Sequence, residues 1–440
     1  MPKKKKVDYT VEAGGPLTGR LEIPGDKSIS HRALMLGAVA DGVTRVHGFL
    51  EGEDTVATME ALRSMGVEIE HGSPRQIIIH GVGFHGLRGA GKPLYLGNSG
   101  TSVRLLSGLL AGQDFDSEMT GDESLQNRPM RRITEPLRQM GADIRCSDQG
   151  TLPITIRGGR KLTGISYQLP VASAQIKSAL LLAGLYAAGT TCVTEPAVTR
   201  DHSERMLAWF GHPVERQDHR ICINAGPLTG RDVEVPADIS SAAFFIVAAA
   251  ITEGSELVLE SIGVNPTRSA VIDILQSMGA DIQLENGRKF CTEPVADIRV
   301  RYSKLRGIEI PEDLVSVAID EFPVLFIAAA CAEGQTMLSG AAELRVKESD
   351  RIAAMAQGLS GLGIGVQTRD DGMIVEGGEL QGGVIDSLGD HRIAMAFAVA
   401  GLVSRGAVII RDCAGIDTSF PGFAGLMQGL GVPLTISRHD

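Results

Sequence analysis

An internal repeat restricts what this chain can fold into. The hexapeptide Gly-Pro-Leu-Thr-Gly-Arg stands at residues 15–20 and again at 226–231, about half of the 440-residue chain apart. An apolar helix-forming segment ends in a glycine at six places, which are Gly42, Gly112, Gly189, Gly254, Gly334 and Gly406. An amphipathic segment follows each one and ends at Gly66, Gly141, Gly211, Gly279, Gly363 and Gly431. Since recurrence at a regular spacing marks a repeated structural unit, we expect six copies of one unit, three in each half.

The first copy predicts the order strand, helix, strand, helix, strand, strand. Asp26 is the expected N-cap of the first helix, which should end at the Asp41-Gly42 stop. The predicted elements are a strand over 17–24, a helix over 27–40, a strand over 43–50, a helix over 54–65, and strands over 67–70 and 76–80. Units of this kind bury one face of a sheet against helices. The sequence therefore predicts an α/β protein with two similar domains of three βαβαββ units each.

The duplicated hexapeptide also predicts how the chain is divided. We expect a first domain of residues 1–23 and 236–440 and a second domain of residues 24–235. If the N-terminal strand pairs with the second half, the chain crosses between domains near 24 and again near 236, which would make a hinge. An active-site cleft between domains that opens and closes is the expected consequence.

Charge and cysteine spacing exclude several classes of protein. A net charge of -11 argues against a general nucleic-acid binder, which needs a basic surface. The six cysteines show no CxxC spacing, which is typical of a reduced cytosolic protein without disulfides or zinc. No HExxH pairing points to a metal. We therefore expect no metal.

The termini and apolar runs give no membrane signal. The lysine run within residues 1–7 is expected to be a solvated tail, with a nuclear address or a membrane-surface patch as alternatives. No apolar segment follows it as in a signal peptide. The apolar runs 241–251 and 322–332 are shorter than the roughly 20 residues that span a bilayer. We expect a soluble cytoplasmic protein.

A fixed count along the repeat finds candidate functional residues. Fourteen residues before each glycine of the first series stands a polar residue, in order Ser28, Asn98, Gln175, Ser240, Asp320 and Arg392. N-capping would explain the serines, the asparagine and the aspartate. It explains Gln175 and Arg392 poorly, because an arginine at a helix N-terminus opposes the helix dipole unless an anion lies there.

Cations accompany these positions. Ser28 and Arg32 are four residues apart and next to Lys27, so the first helix start is a candidate anion site. Lys347, Glu348 and Arg351 are expected on one helical face, with an exposed salt-bridge surface as the alternative. If Lys27, Arg32, Arg128, Lys347, Arg351 and Arg392 converge, the substrate carries several negative charges.

Two carboxylates are candidates for proton transfer, and one glycine motif is not a site. Asp320 interrupts an apolar stretch and is either a helix cap or a general base, with Glu348 as a second carboxylate. The GxGxxG match at 81–86 is predicted to be a loop, since no convincing helix follows it. A Walker GxxxxGK[ST] motif is absent from the sequence.

Five motifs of this sequence resemble the EPSP synthase family, in order and over essentially the whole chain after the lysine run. They lie at residues 24–32, 97–104, 172–179, 345–351 and 390–392. Residues 26–32 and 128–130 are similar to the class II bacterial branch. The resemblance implies two domains of three βαβαββ units, of the inside-out α/β barrel type.

The resemblance also implies a reaction. The family moves the enolpyruvyl group of phosphoenolpyruvate onto the 5-hydroxyl of shikimate 3-phosphate and releases phosphate, in the shikimate pathway. It implies small-molecule substrates, no metal or organic cofactor, and domain closure that excludes water. We expect a monomer without nucleic-acid or membrane partners.

Site residues carry over motif by motif. The resemblance implies that shikimate 3-phosphate binds to Lys27, Ser28, Arg32, Ser173, Ala174, Gln175, Arg200, Asp320 and Lys347. It implies that phosphoenolpyruvate binds to Lys27, Gly100, Thr101, Arg128, Gln175, Arg351 and Arg392. Asp320 would accept the 5-hydroxyl proton, and Glu348, with Lys27 as the rival, would protonate the methylene carbon.

At two positions this chain differs from some members of the family. Many family members carry a lysine where this chain has Thr418, which puts the phosphate side of the site in doubt. Some class II enzymes carry alanine in place of Gly100, a replacement linked to exclusion of the inhibitor glyphosate. Gly100 is thus compatible with glyphosate sensitivity, which a steady-state inhibition curve would test.

Two rival functions are disfavoured. The sister enzyme that transfers enolpyruvyl to UDP-N-acetylglucosamine usually has a cysteine in a mobile loop, and residues 122–127 contain none. An RNA-end-modifying relative would need a basic surface and nucleotide chemistry, which the net charge of -11 opposes.

Overall fold

The structure, a computed structural model, describes residues 6–439. The lysine run up to Lys5 lies outside these residues. None of the helices in the described range combines the length and the apolar character needed to cross a membrane.

The strands are short and spread along the chain. In chain order they are β1 Lys6–Val11, β2 Thr18–Glu22, β3 Ala40–His47, β4 Glu68–His71, β5 Gln76–Val82, β6 Leu94–Tyr95, β7 Ser117–Thr120, β8 Asp143–Arg145, β9 Ile154–Arg157, β10 Ser166–Gln168, β11 Thr191–Thr194, β12 Glu215–Gln217, β13 Arg220–Ile223, β14 Leu228–Thr229, β15 Val233–Glu234, β16 Glu256–Gly263, β17 Asp281–Phe290, β18 Glu293–Arg301, β19 Gln335–Leu338, β20 Val366–Arg369, β21 Gly372–Glu376, β22 Gly383–Asp386, β23 Val408–Arg411 and β24 Leu434–His439.

The helices alternate with these strands. They are α1 Lys27–Val39, α2 Glu53–Ser64, α3 Gly100–Ala111, α4 Glu123–Gln126, α5 Arg131–Gln139, α6 Ala174–Gly184, α7 His202–Trp209, α8 Ile239–Ile251, α9 Ala270–Ser277, α10 Glu312–Val315, α11 Phe322–Ala330, α12 Arg351–Gly361, α13 His391–Gly401 and α14 Phe423–Gly429. Short 3-10 helices lie at Ala342–Val346 and Cys413–Thr418.

The chain forms two compact units. The central unit is Gly25–Pro236 together with Lys289–Glu293. The terminal unit is the chain up to Pro24, Ala237–Arg288 and the chain from Pro294 onward. The short excursion of Lys289–Glu293 into the central unit was not predicted from the sequence.

Three sheets of one design make up the central unit. Their strand orders are β14-β3-β5-β4 with β15 also on β3, then β6-β7-β9-β8, and β10-β11-β13-β12. In each, the first strand of the repeat is parallel to the second, as is β15 to β3, and the other pairs are antiparallel. The order strand, helix, strand, helix, strand, strand is thus confirmed. The first sheet takes its first strand from β14, which belongs to the second copy of the hexapeptide.

The terminal unit repeats this design, and the N-terminal strands β1 and β2 complete two of its sheets. Its sheets run β17-β18-β16-β2, β19-β21-β20 and β22-β23-β1-β24, and a parallel bridge between Glu309 and Met337 flanks the second. β2 is parallel to β16, with Thr18 opposite Glu256, so the strand after the first hexapeptide belongs to the fourth repeat. β1 lies between β23 and β24 and supplies the last strand of the sixth repeat. The sequence did not predict β1.

The apolar helices form the centres of the two hydrophobic cores. All 13 residues of α8 are buried, and a helix that is apolar on every side is a core helix. In the central unit, α3 packs so closely on α6 that a Cβ at Gly108 would lie 2.0 Å from the carbonyl oxygen of Ala179. Only glycine allows this approach.

The six counted polar residues stand at the beginnings of these apolar helices, but none of them is the N-cap. The caps are Asp26, Ser99, Ser173, Asp238, Glu321 and Asp390. Each counted residue lies one or two positions away from its cap. The N-capping explanation is therefore wrong, and the side chains of the counted residues are available for other contacts.

Two further predictions concern the 81–86 motif and the cysteines. Val82 ends β5, Gly83 has φ +80°, and the 81–86 motif runs into a turn, as predicted. The expectation of six reduced cysteines is wrong, because Cys192 and Cys222 form a disulfide. They stand directly opposite on β11 and β13, with their Cα atoms 4.1 Å apart, and this register was not visible from their spacing. Burial raises the pKa of the free Cys331 thiol to about 12.

Replacement of Gly108 by alanine should destabilise the central unit. The added Cβ would force α3 and α6 apart, and we expect the free energy of unfolding to fall by about 2 kcal/mol. Urea denaturation measures this. Gly425→Ala is the matched control, because a methyl group added at this exposed glycine of α14 would have no atom within 4 Å. Equal stability of both variants would contradict the close packing of α3 on α6.

Candidate active site

Gln175 joins the beginnings of two helices in the central unit. Its Oε1 accepts a hydrogen bond from Arg104 Nη1 at 2.6 Å, and its Nε2 donates to Thr101 Oγ1 at 3.0 Å. Ser173, the N-cap of α6, accepts from the backbone N–H of Ile176, and Ala174 is the first residue of that helix. The structure thus brings the predicted residues of α3 and α6 together. Arg104 was part of a quoted motif but was not predicted as a site residue.

Two guanidinium groups lie over Gly100. A Cβ at this position would be 2.7 Å from Arg104 Nη1 and 3.1 Å from Arg128 Nη1. Arg128 Nη2 donates to Asn98 Oδ1, and Asn98 Nδ2 donates to both carboxylate oxygens of Asp122. Asn98 therefore holds Arg128 in place, which gives this counted residue a role.

The beginning of α1 carries the other predicted cations of this unit. Lys27 forms an ion pair with Asp54. Arg32 is buried, and its guanidinium donates to Ser203 Oγ at 2.7 Å, to Ser178 Oγ at 2.8 Å and to the carbonyl oxygen of Ser28 at 2.9 Å. All three contacts fix the direction in which this cation points.

Burial lowers the pKa of Arg32 to about 10, although the negative charges of Glu204 and Asp26 oppose the shift. Arg32 is therefore protonated at neutral pH. The positive charge of Arg200 acts on it in the same direction as burial, so Arg200 lies in the neighbourhood of Arg32. The beginning of α1 is a site that concentrates positive charge.

In the terminal unit the predicted residues surround one buried guanidinium. The side chain of Arg351 is 1% exposed. Its Nε lies 2.9 Å from Asp390 Oδ2, its Nη2 lies 2.7 Å from Glu348 Oε2, and its Nη1 lies 3.4 Å from Asp320 Oδ1. Asp390, the N-cap of α13, was not predicted as a site residue.

Arg351 and the carboxylates around it stabilise each other's charged forms. Burial alone would lower the pKa of Arg351, but Asp390, Glu348 and Asp320 outweigh it and raise the pKa above its usual value. Burial alone would raise the pKa of Asp390, but Arg351 holds it below its usual value. Ser349 Oγ also donates to Asp390, at 2.9 Å.

Asp320 joins two further cations to this cluster. Lys347 Nζ lies 3.4 Å from Asp320 Oδ1, and Arg392 Nη1 donates to the carbonyl oxygen of Asp320 at 2.8 Å. The expectation that Lys347, Glu348 and Arg351 share a helical face is wrong, because a 3-10 helix ends at Val346 and α12 begins only at Arg351. The turn between these helices brings the three side chains together instead.

Buried polar residues behind Arg392 support its position. Its Nη1 lies 3.6 Å from Oε1 of Glu321, which is 1% exposed. Ser240 donates its hydroxyl hydrogen to Glu321 and accepts a hydrogen bond from Arg268 Nη2 at 2.7 Å. Ser240, one of the residues found by the count of 14, thus links Glu321 to Arg268. Neither Glu321 nor Arg268 was predicted as part of the site.

Thr418 takes no part in these clusters through any contact of the described residues. It is buried at the end of a 3-10 helix, where its Oγ1 donates to the carbonyl oxygen of Gly415 at 2.7 Å. The hydroxyl serves the local turn.

Each unit therefore gathers donors for anionic groups at the beginnings of its apolar helices. The central unit contributes Lys27, Arg32, Arg104, Arg128 and Gln175. The terminal unit contributes Lys347, Arg351 and Arg392, and it adds two carboxylates, Asp320 and Glu348, that can exchange protons. In the terminal unit, this combination of cations and carboxylates suits a reaction of an anionic substrate that includes proton transfer.

Replacement of Asp390 by asparagine should destabilise the terminal unit at neutral pH. Asparagine still caps α13, but Arg351 loses a buried counter-charge, and we expect a loss of roughly 3 kcal/mol in the free energy of unfolding. Because the pKa of Asp390 is lowered, its contribution is complete above the usual value of 3.8 and is lost as the pH falls through the native pKa. Urea denaturation between pH 7 and pH 3 measures this.

The control is Asp350→Asn. Asp350 caps α12 and pairs with Arg345 at 2.7 Å, but its side chain is 38% exposed. The cost should stay below about 1 kcal/mol. A loss for Asp390→Asn that is no larger than the control, or that grows as the pH falls below 4, would contradict the assigned charges.

Known proteins resemble this chain over nearly its whole length. The family model for EPSP synthase (3-phosphoshikimate 1-carboxyvinyltransferase) matches residues 11–427. A 3-phosphoshikimate 1-carboxyvinyltransferase from Nitrosococcus oceani is 62% identical over 432 residues, 98% of this chain and 97% of that one. The one from Methylococcus capsulatus is 59% identical over 434 residues, 98% of this chain and 99% of that one.

Solved structures agree. EPSP synthase from Acinetobacter baumannii matches with a TM-score of 0.88 and 54% identity, over 98% of this chain and 100% of that chain. The enolpyruvyl transferase NikO from Streptomyces tendae matches with a TM-score of 0.79 at 17% identity, over 99% of this chain and 100% of that chain, which shows the shared fold alone. The chain belongs to the EPSP synthase family.

Proposed function

We propose that the clusters of the two units carry out the reaction of this family. The enolpyruvyl group of phosphoenolpyruvate moves to the 5-hydroxyl of shikimate 3-phosphate, and phosphate is released, as a step of the shikimate pathway towards the aromatic amino acids. One observation supports this most directly. Asp320 and Glu348 both contact Arg351, and Lys347 and Arg392 also contact Asp320, so the proton-transfer groups and the phosphate-binding groups share one cluster.

Shikimate 3-phosphate binds to donors around α1 and at the beginning of α6, together with two residues of the terminal unit. The residues proposed to bind it are Lys27, Ser28, Arg32, Ser173, Ala174, Gln175, Arg200, Asp320 and Lys347. The three hydrogen bonds of Arg32 support this role, because they fix the guanidinium before the ligand arrives. A preorganised donor loses little freedom when it binds a phosphate.

Phosphoenolpyruvate binds to the cations near Gly100 and in the terminal unit, and it shares Lys27 and Gln175 with shikimate 3-phosphate. The residues proposed to bind it are Lys27, Gly100, Thr101, Arg128, Gln175, Arg351 and Arg392. Arg104 joins this group, since it donates to Gln175 and lies over Gly100 next to Arg128. The glycine leaves room in front of two guanidinium groups, as the carboxylate or phosphate of a small anion requires.

The proton transfers follow from the two carboxylates. Asp320 accepts the proton of the 5-hydroxyl as its oxygen bonds to the central carbon of the enolpyruvyl group. Glu348, with Lys27 as the competing candidate, gives a proton to the methylene carbon. The resulting tetrahedral adduct expels phosphate as Glu348, or Lys27, takes a proton back from the methyl group, which restores the carbon–carbon double bond. Asp320 returns its proton to the departing phosphate. The surrounding cations offset the repulsion between the two anionic substrates and stabilise the leaving phosphate.

The carboxylate variants Asp320→Asn and Glu348→Gln test this mechanism. Both keep the shape of the side chain and remove the proton-transfer group, so we expect turnover to fall by at least about a hundredfold. Shikimate 3-phosphate binding, measured by calorimetry, should remain detectable. Asp313→Asn, a change of an exposed carboxylate on α10, is the control and should keep full turnover. Full turnover in both test variants would refute the mechanism.

Gly100→Ala tests the phosphoenolpyruvate site. The new Cβ would press on Arg104 and reach Arg128, so we expect the KM for phosphoenolpyruvate to rise by roughly tenfold, the equivalent of about 1.4 kcal/mol. The KM for shikimate 3-phosphate should change little. A larger effect on shikimate 3-phosphate than on phosphoenolpyruvate would show that the two substrates are assigned to the wrong residues.

A further inference from the structure

We propose that Lys177 is a positioning residue for the binding of shikimate 3-phosphate. Its buried ammonium group fixes the segment 195–204 and balances the charge beside Arg32. The inference rests on the proposed function, because Arg32 and Arg200 are the cations it would position. Lys177 itself would touch no substrate.

Lys177 is a cation without access to solvent. Its side chain is 0% exposed, and its Nζ lies 3.0 Å from Glu195 Oε1 and 2.7 Å from Glu204 Oε1. Both carboxylates are buried as well. A buried charge is costly unless a counter-charge lies beside it, and removal of one partner leaves the others uncompensated. The three residues therefore depend on one another.

These contacts tie down one segment at several points. Glu195 follows the end of β11, and Glu204 lies in the first turn of α7. Between them, the carbonyl oxygen of Thr199 accepts a hydrogen bond from Lys177 Nζ at 3.4 Å, and the hydroxyl of Thr199 donates to Glu195. Arg200 is the next residue, so the ammonium group fixes the backbone that carries this cation.

The same segment also holds Arg32. Ser203, next to Glu204, accepts a hydrogen bond from Arg32 Nε at 2.7 Å and donates to Ser178 Oγ at 2.7 Å. Ser178 in turn accepts from Arg32 Nη2 at 2.8 Å and follows Lys177 on α6. A shift of α7 would therefore move Ser203 and change the direction of the Arg32 guanidinium.

Lys177 also balances the buried charges beside Arg32. Lys177 and Arg32 are two buried cations, and Glu195 and Glu204 are two buried carboxylates. The negative charge of Glu204 acts on Arg32 directly, and Asp26, Arg200 and Glu293 act on it as well. Without Lys177, Glu195 and Glu204 would lose the counter-charge that they share beside Arg32. They would draw its guanidinium away from the phosphate of the substrate.

The test is Lys177→Met, which keeps the length of the side chain and removes its charge. We expect the KM for shikimate 3-phosphate to rise at least about tenfold. The KM for phosphoenolpyruvate and kcat should each change by less than roughly threefold, because Lys177 contacts no reacting atom. A purely structural defect would lower the yield of active enzyme without this selectivity for one substrate.

The double variant Lys177→Met/Glu204→Gln removes one buried charge of each sign and so restores the net charge beside Arg32. It does not restore the contacts of Lys177 with Glu195 and Thr199, so it isolates the effect of charge balance. We expect it to bring the KM for shikimate 3-phosphate back to within about threefold of the wild-type value. If Lys177→Met does not fold, the double variant carries the test alone, with the same expected KM. A double variant that fails to fold, or whose KM is raised about tenfold, would overturn the inference.

Arg200→Ala separates this inference from the proposed function. If Arg200→Ala raises the KM for shikimate 3-phosphate and Lys177→Met leaves it unchanged, Lys177 is not a positioning residue although the site assignment stands. If Arg200→Ala leaves that KM unchanged, the assignment of Arg200 to the substrate is wrong, and the role inferred for Lys177 falls with it.

Discussion

Cations buried in this protein need carboxylates beside them, and this constraint fixes where several helices begin. Arg351 is 1% exposed and is held by Asp390, Glu348 and Asp320. A buried guanidinium needs such partners, so the beginning of α12, the cap of α13 and Asp320, two residues before α11, must all meet at one point. The functional residues of the terminal unit are therefore placed by the same charges that its fold must satisfy.

The central unit meets this constraint in a different way. Arg32 is held mainly by hydroxyl and carbonyl oxygens, and its charge is balanced at a greater distance through Glu204. Neutral partners leave the positive charge of a guanidinium available to an incoming anion. This difference suits the proposed function, in which the central unit supplies fixed donors to both substrates and the terminal unit combines phosphate binding with proton transfer. In a protein with a net charge of -11, such local concentrations of positive charge are what allow anionic substrates to bind.

Features that depend on local sequence were predicted well. The elements of the first repeat were placed within a few residues, and the count of 14 residues led to the beginnings of all six apolar helices. This works because helix length and turn position are encoded in neighbouring residues. Lys347, Arg351 and Arg392 were predicted among the six cations that converge, and Asp320 and Glu348 as proton-transfer groups. The structure brings these five together in the terminal unit.

Features that depend on distant pairings were missed. Three such features join residues far apart in the sequence. They are the place of β1 between β23 and β24, the register that sets Cys192 opposite Cys222, and the contact of Arg104 with Gln175. Glu321 and Lys177 were missed for a related reason, since a charged residue within an apolar segment gives no sign of the partner it will meet. Buried charge in an otherwise apolar helix is the signal that could have found Lys177.

A phosphate-release assay with the wild-type protein tests the proposed reaction most directly. We expect phosphate to appear only when phosphoenolpyruvate and shikimate 3-phosphate are both present, in an amount equal to the phosphoenolpyruvate consumed. Release from phosphoenolpyruvate alone at the same rate, or no release with both substrates, would contradict the claim that these clusters transfer the enolpyruvyl group.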